Sequence, residues 1–236
     1  MSGQPAPHHD DPLEPVAHQI VTTWPPGTFV ENLAPLPDGD FVVSLHSWRE
    51  LARVRRGGSR STLANLPVSP VGIVGRAHAS CCATTVLGKI SADPMMPGVN
   101  GIALGDDAMW LTNTDRAVVL RAGLGADGPD GSVDVAAEHL RGDDIALDED
   151  GSVYVTTHIH NTLVRLDPDG RRVALAGPEQ GMHGATACAF GVGAEDTALF
   201  VTTTGGILMP VDDVPREAKL VRLDVARRGR PLTVRS

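Results

Sequence analysis

Three oxygen-bearing residues, Glu31, Asn100 and Asp143, each open a short apolar run, and His46 and His158 each follow an opener after 15 residues. Carboxylate and amide oxygens are what a hard divalent cation such as Ca²⁺ or Mg²⁺ selects. The same count from Asn100 ends on Asp115, or on Thr114 if the apolar pattern sets the register. Asn113, His160 and Thr204 fall on the same rim of their units, and His183 lies in a Gly-flanked loop just before Thr186. Two readings of the openers stand side by side. They hold a cation, or they only bond backbone amides at strand entry, as Asx and Thr side chains do. His158-Ile159-His160 sets two imidazoles on one side of a strand, but no Cys pair or Glu stands nearby at zinc-ligand spacing. Cys188 aligns with apolar Ile145 and reads as core. The sequence contains no Gly-x-Ser-x-Gly elbow, P-loop or Rossmann fingerprint.

These residues need elements that bring distant positions together, and the repeats provide them. From Asp143 to Gly170, DDIALDEDGSVYVTTHIHNTLVRLDPDG reads as three short strands separated by acidic Gly turns. Related units open at Glu31, Val71, Asn100 and Thr186, at intervals of 40, 29, 43 and 43 residues. A period of roughly 40–45 residues carrying several short strands is that of a β-propeller blade. No segment shows a sustained helical stripe. The chain is therefore expected to be all-β, a single propeller domain over 17–230 behind a disordered tail, 1–16. About five blades are recognisable and one is incomplete, with 75–97 irregular and Lys89 without a place in the pattern. Segments 126–132 and 177–184 read as loops. HQIVTTW precedes the first full unit, and the last unit lacks a fourth strand, so 17–23 is expected to be the outer strand of the last blade. In such a blade the innermost strand lines the channel. Openers and the loops between second and third strands then share one mouth.

The formal charge of −9, from 20 basic and 29 acidic residues, speaks against nucleic acid or an anionic membrane as partner. A small-molecule substrate is the partner expected. The N-terminus has no apolar core of a signal peptide, and no run of 18 apolar residues follows, so a cytoplasmic protein is expected. Three cysteines, two of them adjacent (Cys81 and Cys82), make no disulfide framework. The sequence carries no signal of oligomeric state.

ENLAPLPDGDFVV, VNGIALGDDAMWLTN and DDIALDEDGSVYVTTH resemble the repeats of the senescence marker protein (regucalcin)/gluconolactonase family, over roughly residues 24–74 and 97–225. Strictosidine-synthase-like propellers are more distant relatives. The resemblance implies a six-bladed propeller in which a Glu, an Asn and an Asp from three blades hold a divalent metal in the channel. Those positions correspond to Glu31, Asn100 and Asp143. It implies Ca²⁺ first, with Mg²⁺ or Zn²⁺ as alternatives, and hydrolysis of lactones or related esters with Asp143 as the base. The ENLA and TACAFG stretches are similar to a subgroup from secondary-metabolite pathways, some fungal members of which catalyse cyclisations of the hetero-Diels–Alder kind. Two departures stand out. About one blade's worth of sequence is missing, and Asp144 replaces the Gly that usually follows the catalytic Asp. A second carboxylate there either joins the site or raises the pKa of Asp143 by like-charge repulsion.

Three functional readings follow. The first is metal-dependent hydrolysis of a small-molecule lactone or ester, with Asp143 as base and the substrate-binding rim of His46, Asn113, Asp115, His158, His160, His183 and Thr204. The second is a non-hydrolytic pocket, a cyclisation catalyst or a binding propeller whose rim histidines polarise a carbonyl. The third is a degenerate, inactive member of the family.

Overall fold

The structure, a computed structural model, describes residues 11–70, 98–126 and 128–231. The unit expected to open at Val71, the irregular stretch 75–97, Cys81, Cys82 and Lys89 lie outside the described residues.

The described chain is all-β. Strand β1 (His18–Trp24) is followed by a first hairpin series, β2 (Val30–Pro35), β3 (Phe41–Leu45), β4 (Glu50–Val54) and β5 (Arg60–Asn65). A second series holds β6 (Val99–Leu104), β7 (Ala108–Asn113), β8 (Val118–Gly125) and β9 (Gly128–Glu138). The third is β10 (Ile145–Leu147), β11 (Val153–Thr157), β12 (Thr162–Leu166) and β13 (Arg172–Ala176). The fourth holds β14 (Ala185–Phe190), β15 (Ala198–Thr203) and β16 (Ala218–Asp224). Each series is one antiparallel four-stranded sheet, and the fourth is completed by β1, which pairs with β16 from His18↔Leu223 to Trp24↔Ala218. The strand expected over 17–23 thus closes the last blade.

Burial explains the sequence of each strand. FVVSL, AMWLTN, VYVTT and ALFVTT are second strands, buried along almost their whole length, and so read as continuous apolar or Thr-rich runs. The outer strands β5 and β9 are mostly exposed and correspondingly polar. Hairpins between first and second strands turn on Gly39 and Gly151, whose φ of +83° and +85° is the left-handed region that glycine enters without strain. The expected loop at 126–132 is shorter than the reading held. From Gly128 the chain is already in β9, with Pro129 opposite Leu124 on an outer edge strand, where a missing amide hydrogen costs no ladder bond.

The blades pack through apolar faces. Trp24, Phe41 and Phe200 form one inter-blade core, with the two Phe rings 4.3 Å apart, and Tyr154 meets Phe190 edge-on at 5.2 Å in another. A third joins Val119 and Leu140 to Ile145, Val153 and Val155. Inner strands therefore run in the order β6, β10, β14, β2 around the arc. Of the tail expected over 1–16, residues 1–10 lie outside the described residues. Residues 11–16 are tied to β13, with Glu14 N and Val16 N donating to Ala174 O and Leu175 O at 2.8 and 3.0 Å.

On the face opposite the openers, Val225–Arg230 runs across the turns of the second, third and fourth sheets. Gly229 N donates to Asp196 O and Arg230 N to Leu147 O, at 2.8 and 3.0 Å. Arg228 pairs with Asp196 at 2.8 Å, Arg230 with Asp106 at 2.6 Å, and Arg227 lies 3.6 Å from fully buried Asp148. The basic C-terminal stretch is a fastening.

Candidate active site at the channel mouth

A buried hydroxyl near the end of each second strand sets the position of the openers. The inner strands β2, β6 and β14 shift register just past their first residues, between Val30 and Asn32, Val99 and Ile102, and Ala185 and Cys188. Such a bulge takes an amide off the ladder, and a buried amide needs an acceptor. Ser44 Oγ accepts from Asn32 N at 3.0 Å, Thr112 Oγ1 from Gly101 N at 2.7 Å, and Thr156 Oγ1 from Asp144 N at 2.9 Å. The same hydroxyls then reach the next blade. Thr112 donates to Asp143 O and Thr156 to Thr186 O, both at 2.7 Å, while Thr186 itself donates to Val30 O at 2.8 Å. Gly101 is needed for this approach, since a Cβ there would lie 2.6 Å from Asp143 O.

With the openers so placed, Asn100 Nδ2 bonds Asp143 Oδ1, and the other oxygen, Oδ2, lies 3.3 Å from His158 Nδ1. Asp143 and His158 are both largely buried, with side chains 14% and 10% exposed. His158 Nε2 is buried and has no hydrogen-bond partner among the described residues. Glu31 and Asp144 share the field of Asp143. Burial, then the charges of Asp143 and Asp144, push the Glu31 carboxyl up to about 8. Burial also pushes Asp144 up to about 7, with the Asp143 charge adding to it, against the amides of Ile145 and Cys188 that bond the carboxylate. The extra carboxylate at 144 thus joins the site and takes part in its charge crowding. Among the described residues, no group of three His, Cys, Asp or Glu side chains closes to metal-holding distances.

The rim residues divide by what already occupies them. His46 Nδ1 is 3.2 Å from Pro70 O, and the Phe29 ring lies between it and His158, with centroids 5.5 and 5.9 Å away. His46, Thr114 and Thr204 hold equivalent places, each donating its amide to the residue that begins the inner strand's approach, Phe29, Gly98 and Gly184. Thr114, not Asp115, is therefore the counterpart of His46, because the turn between Leu104 and Met109 encloses one residue fewer than that between Pro35 and Phe41. Asp115 still borders the mouth, where its carbonyl and that of Thr114 accept from Arg141. Asn113 Oδ1 is taken by Arg116 N at 3.0 Å. Thr204 Oγ1 is taken by Gly206 N at 3.3 Å. His160 is half-buried on the turn after His158. His183 is buried against the β15–β16 connection, and its Nδ1 has no partner among the described residues. Burial, then Arg216 and Lys219, lower its pKa against the pull of Asp212, which keeps the ring neutral.

Sequence reasoning missed the hydroxyls of Ser44, Thr112, Thr156 and Thr202, and also Asn161. Asn161 stands at φ +57° in the turn after His158, and its Oδ1 accepts Gly184 N at 2.6 Å, tying the third mouth loop to the approach to β14. A signal was present: a hydroxyl recurs near the end of each second strand, and Asn follows His160 where a left-handed residue is wanted.

A β-propeller with carboxylates and imidazoles gathered at one channel mouth is the class that fold and site define. Residues 91–205, just under half of the chain, match the family model of the SMP-30/Gluconolactonase/LRE-like region. Among solved structures, the fold is similar to the calcium-binding protein regucalcin from Agrobacterium tumefaciens str. C58, at TM-score 0.70 and 15% identity over 95% of this chain and 99% of that one. It is also similar to the PQQ-bound aldose sugar dehydrogenase of Streptomyces coelicolor, at 0.59 and 14% over 90% and 99%. A luciferin-regenerating enzyme aligns at 0.51 and 18% over 88% and 82%. At such identities the likeness is one of fold. No curated protein matches in sequence. The chain is a β-propeller whose residues 91–205 match that family model.

Proposed function

We propose that the protein is a metal-dependent hydrolase of a small-molecule lactone or ester. One observation carries the reading: Asp143 is held between Asn100 and His158, with the Glu31 and Asp144 carboxylates in its field. The donor set fits a hard divalent cation, because Glu31 and Asp143 offer carboxylate oxygens and Asn100 an amide oxygen once its amide turns over. Ca²⁺ is the first candidate. The bound cation would supply Lewis-acid polarisation of the substrate carbonyl.

The remaining work falls to the chain's own groups. With His158 Nδ1–H donated to Asp143 Oδ2, the free Nε2 is the ring's proton acceptor. Both Asp143 oxygens are engaged, which favours His158 Nε2 as the group that takes the proton from water, with Asp143 holding the ring in that tautomer. This departs from the assignment of the base to Asp143 that the resemblance implies. Phe29 packs against the imidazole and limits its rotation.

The test is metal analysis of the purified protein, followed by hydrolysis assays on a lactone and aryl-ester panel with and without chelator. Stoichiometric metal with chelator-sensitive turnover is expected. Turnover that survives chelation would favour the metal-free, histidine-based reading. Absence of both metal and turnover would leave a degenerate member of the family.

A further inference from the structure

The mouth connections are unequal. Those between second and third strands span four residues each in the first three sheets, 46–49, 114–117 and 158–161, whereas the fourth, 204–217, spans fourteen. Long connections in compact domains are commonly functional. This one is shaped rather than loose. Arg216 N donates to Gly205 O at 2.8 Å, and the Arg216 guanidinium grips both oxygens of Asp212 at 3.0 Å. Gly205 and Gly206 take φ of +73° and +79°, and a Cβ on Gly206 would meet His183 Cβ at 3.8 Å. The root of the loop therefore rests on the site histidine.

Beyond that root the loop turns apolar side chains outward. Leu208, Met209 and Val214 are 60%, 51% and 56% exposed, against second and third strands none of whose large apolar residues is exposed. On the approach to the neighbouring first sheet, the half-buried Phe29 ring packs against His46 and His158. Exposed apolar groups clustered beside a site mark a binding surface more than single ones do. A polyhydroxylated lactone would need a hydrogen-bonding group for each hydroxyl, yet Asn113 and Thr204 are already engaged within their own loops.

We propose that the substrate is a lactone or ester bearing an apolar chain or ring, held by a wall of Leu208, Met209 and Val214 on the loop rooted at His183. The proposal rests on the hydrolase reading for the reaction, but not for the binding. Burying one methylene favours the complex by up to about fourfold.

The test uses the full chain with Ca²⁺ and a series of γ-lactones whose side chain grows from methyl to octyl, with glucono-1,5-lactone as the polar comparison. Binding of non-hydrolysable 2-alkyltetrahydrofurans of the same lengths is followed by calorimetry. We expect kcat/KM and affinity to rise about two- to fourfold per methylene, and the Leu208→Ser/Met209→Ser double variant to flatten both slopes while its melting temperature stays put. Hydrolysis with no dependence on chain length, a dependence the variant retains, or preference for the glucono lactone would overturn the proposal and leave the hydrolase reading standing. Chain-length-dependent binding that the variant flattens, with no lactone hydrolysed, would support the apolar wall and sink the hydrolase reading. A change of oligomeric state in the variant with unchanged slopes would assign the patch to a second copy of the chain and overturn the proposal.

Discussion

Thr112 in one blade donates its hydroxyl to the main-chain carbonyl of Asp143 in the next, at 2.7 Å, while accepting the amide of Gly101. The carboxylate at the centre of the site is thus positioned from a neighbouring blade as well as by its own strand. Replacing Thr112 with Val keeps the shape and strands a buried amide and carbonyl. A loss of about 1–3 kcal/mol is expected in urea unfolding. Thr112→Ser should recover most of it.

Asp143→Asn and His158→Gln separate the roles of the pair. If His158 is the base and Asp143 its holder, each substitution lowers kcat by about 10²–10⁴-fold. The double variant should then fall little further than either single one, because groups acting as a unit are not additive. Additive losses would show that the two act independently. Far-UV circular dichroism should be unchanged throughout.

Glu31 and Asp144, raised to about 8 and about 7 from ordinary values of 4.5 and 3.8, make the metal-free protein sensitive to pH. Over that window the folded state keeps protons that the unfolded state has released, so stability falls as pH rises. The melting temperature of chelated protein should be lower at pH 8 than at pH 5. Ca²⁺ should restore it more at pH 8, where the carboxylates are free to ionise. A cation at 100 times its Kd adds about 2.7 kcal/mol. A metal-free melting temperature that climbs over this range would contradict the charge crowding.

Tyr154 is the only tyrosine, fully buried, and its hydroxyl donates to Asp148 Oδ2 at 3.1 Å. Burial, then the Asp148 carboxylate, push its pKa well above the ordinary 10. Ultraviolet titration should show no phenolate at pH 10.5 in the folded protein and about three-quarters ionisation in denaturant. Stability should decline as pH passes 10, where the unfolded chain begins to ionise and the folded one does not. Tyr154→Phe should cost about 1–2 kcal/mol.

The strands of the described sheets and the closure by β1 were legible because blade burial writes itself into short apolar runs and Gly turns. The opener column was legible for the same reason, since every unit starts at the same place on the channel. The hydroxyl contacts were harder to read, because Thr is an ordinary strand residue and only its recurrence across units, not VYVTT by itself, marks Thr156 as a donor to another blade. Thr114 and Asp115 could not be separated by counting, since the β6–β7 turn is one residue shorter than its counterparts in the first and third sheets. The exposed β15–β16 wall was passed over because Leu208 and Met209 are distant from every opener in sequence.

Pairing β1 with β16 has a consequence for how the chain is made. Among the described strands, the first to leave the ribosome waits for the last. At about 5–20 residues per second that wait is on the order of ten to forty seconds. Throughout it HQIVTTW has a bare row of amides and carbonyls and four β-branched residues in succession, Ile20, Val21, Thr22 and Thr23. Such a segment will pair with any partner offered. Pro25 and Pro26 sit directly behind it, lacking the amide hydrogens a growing ladder would require. They act as gatekeepers for the nascent strand, limiting its reach until its own blade arrives.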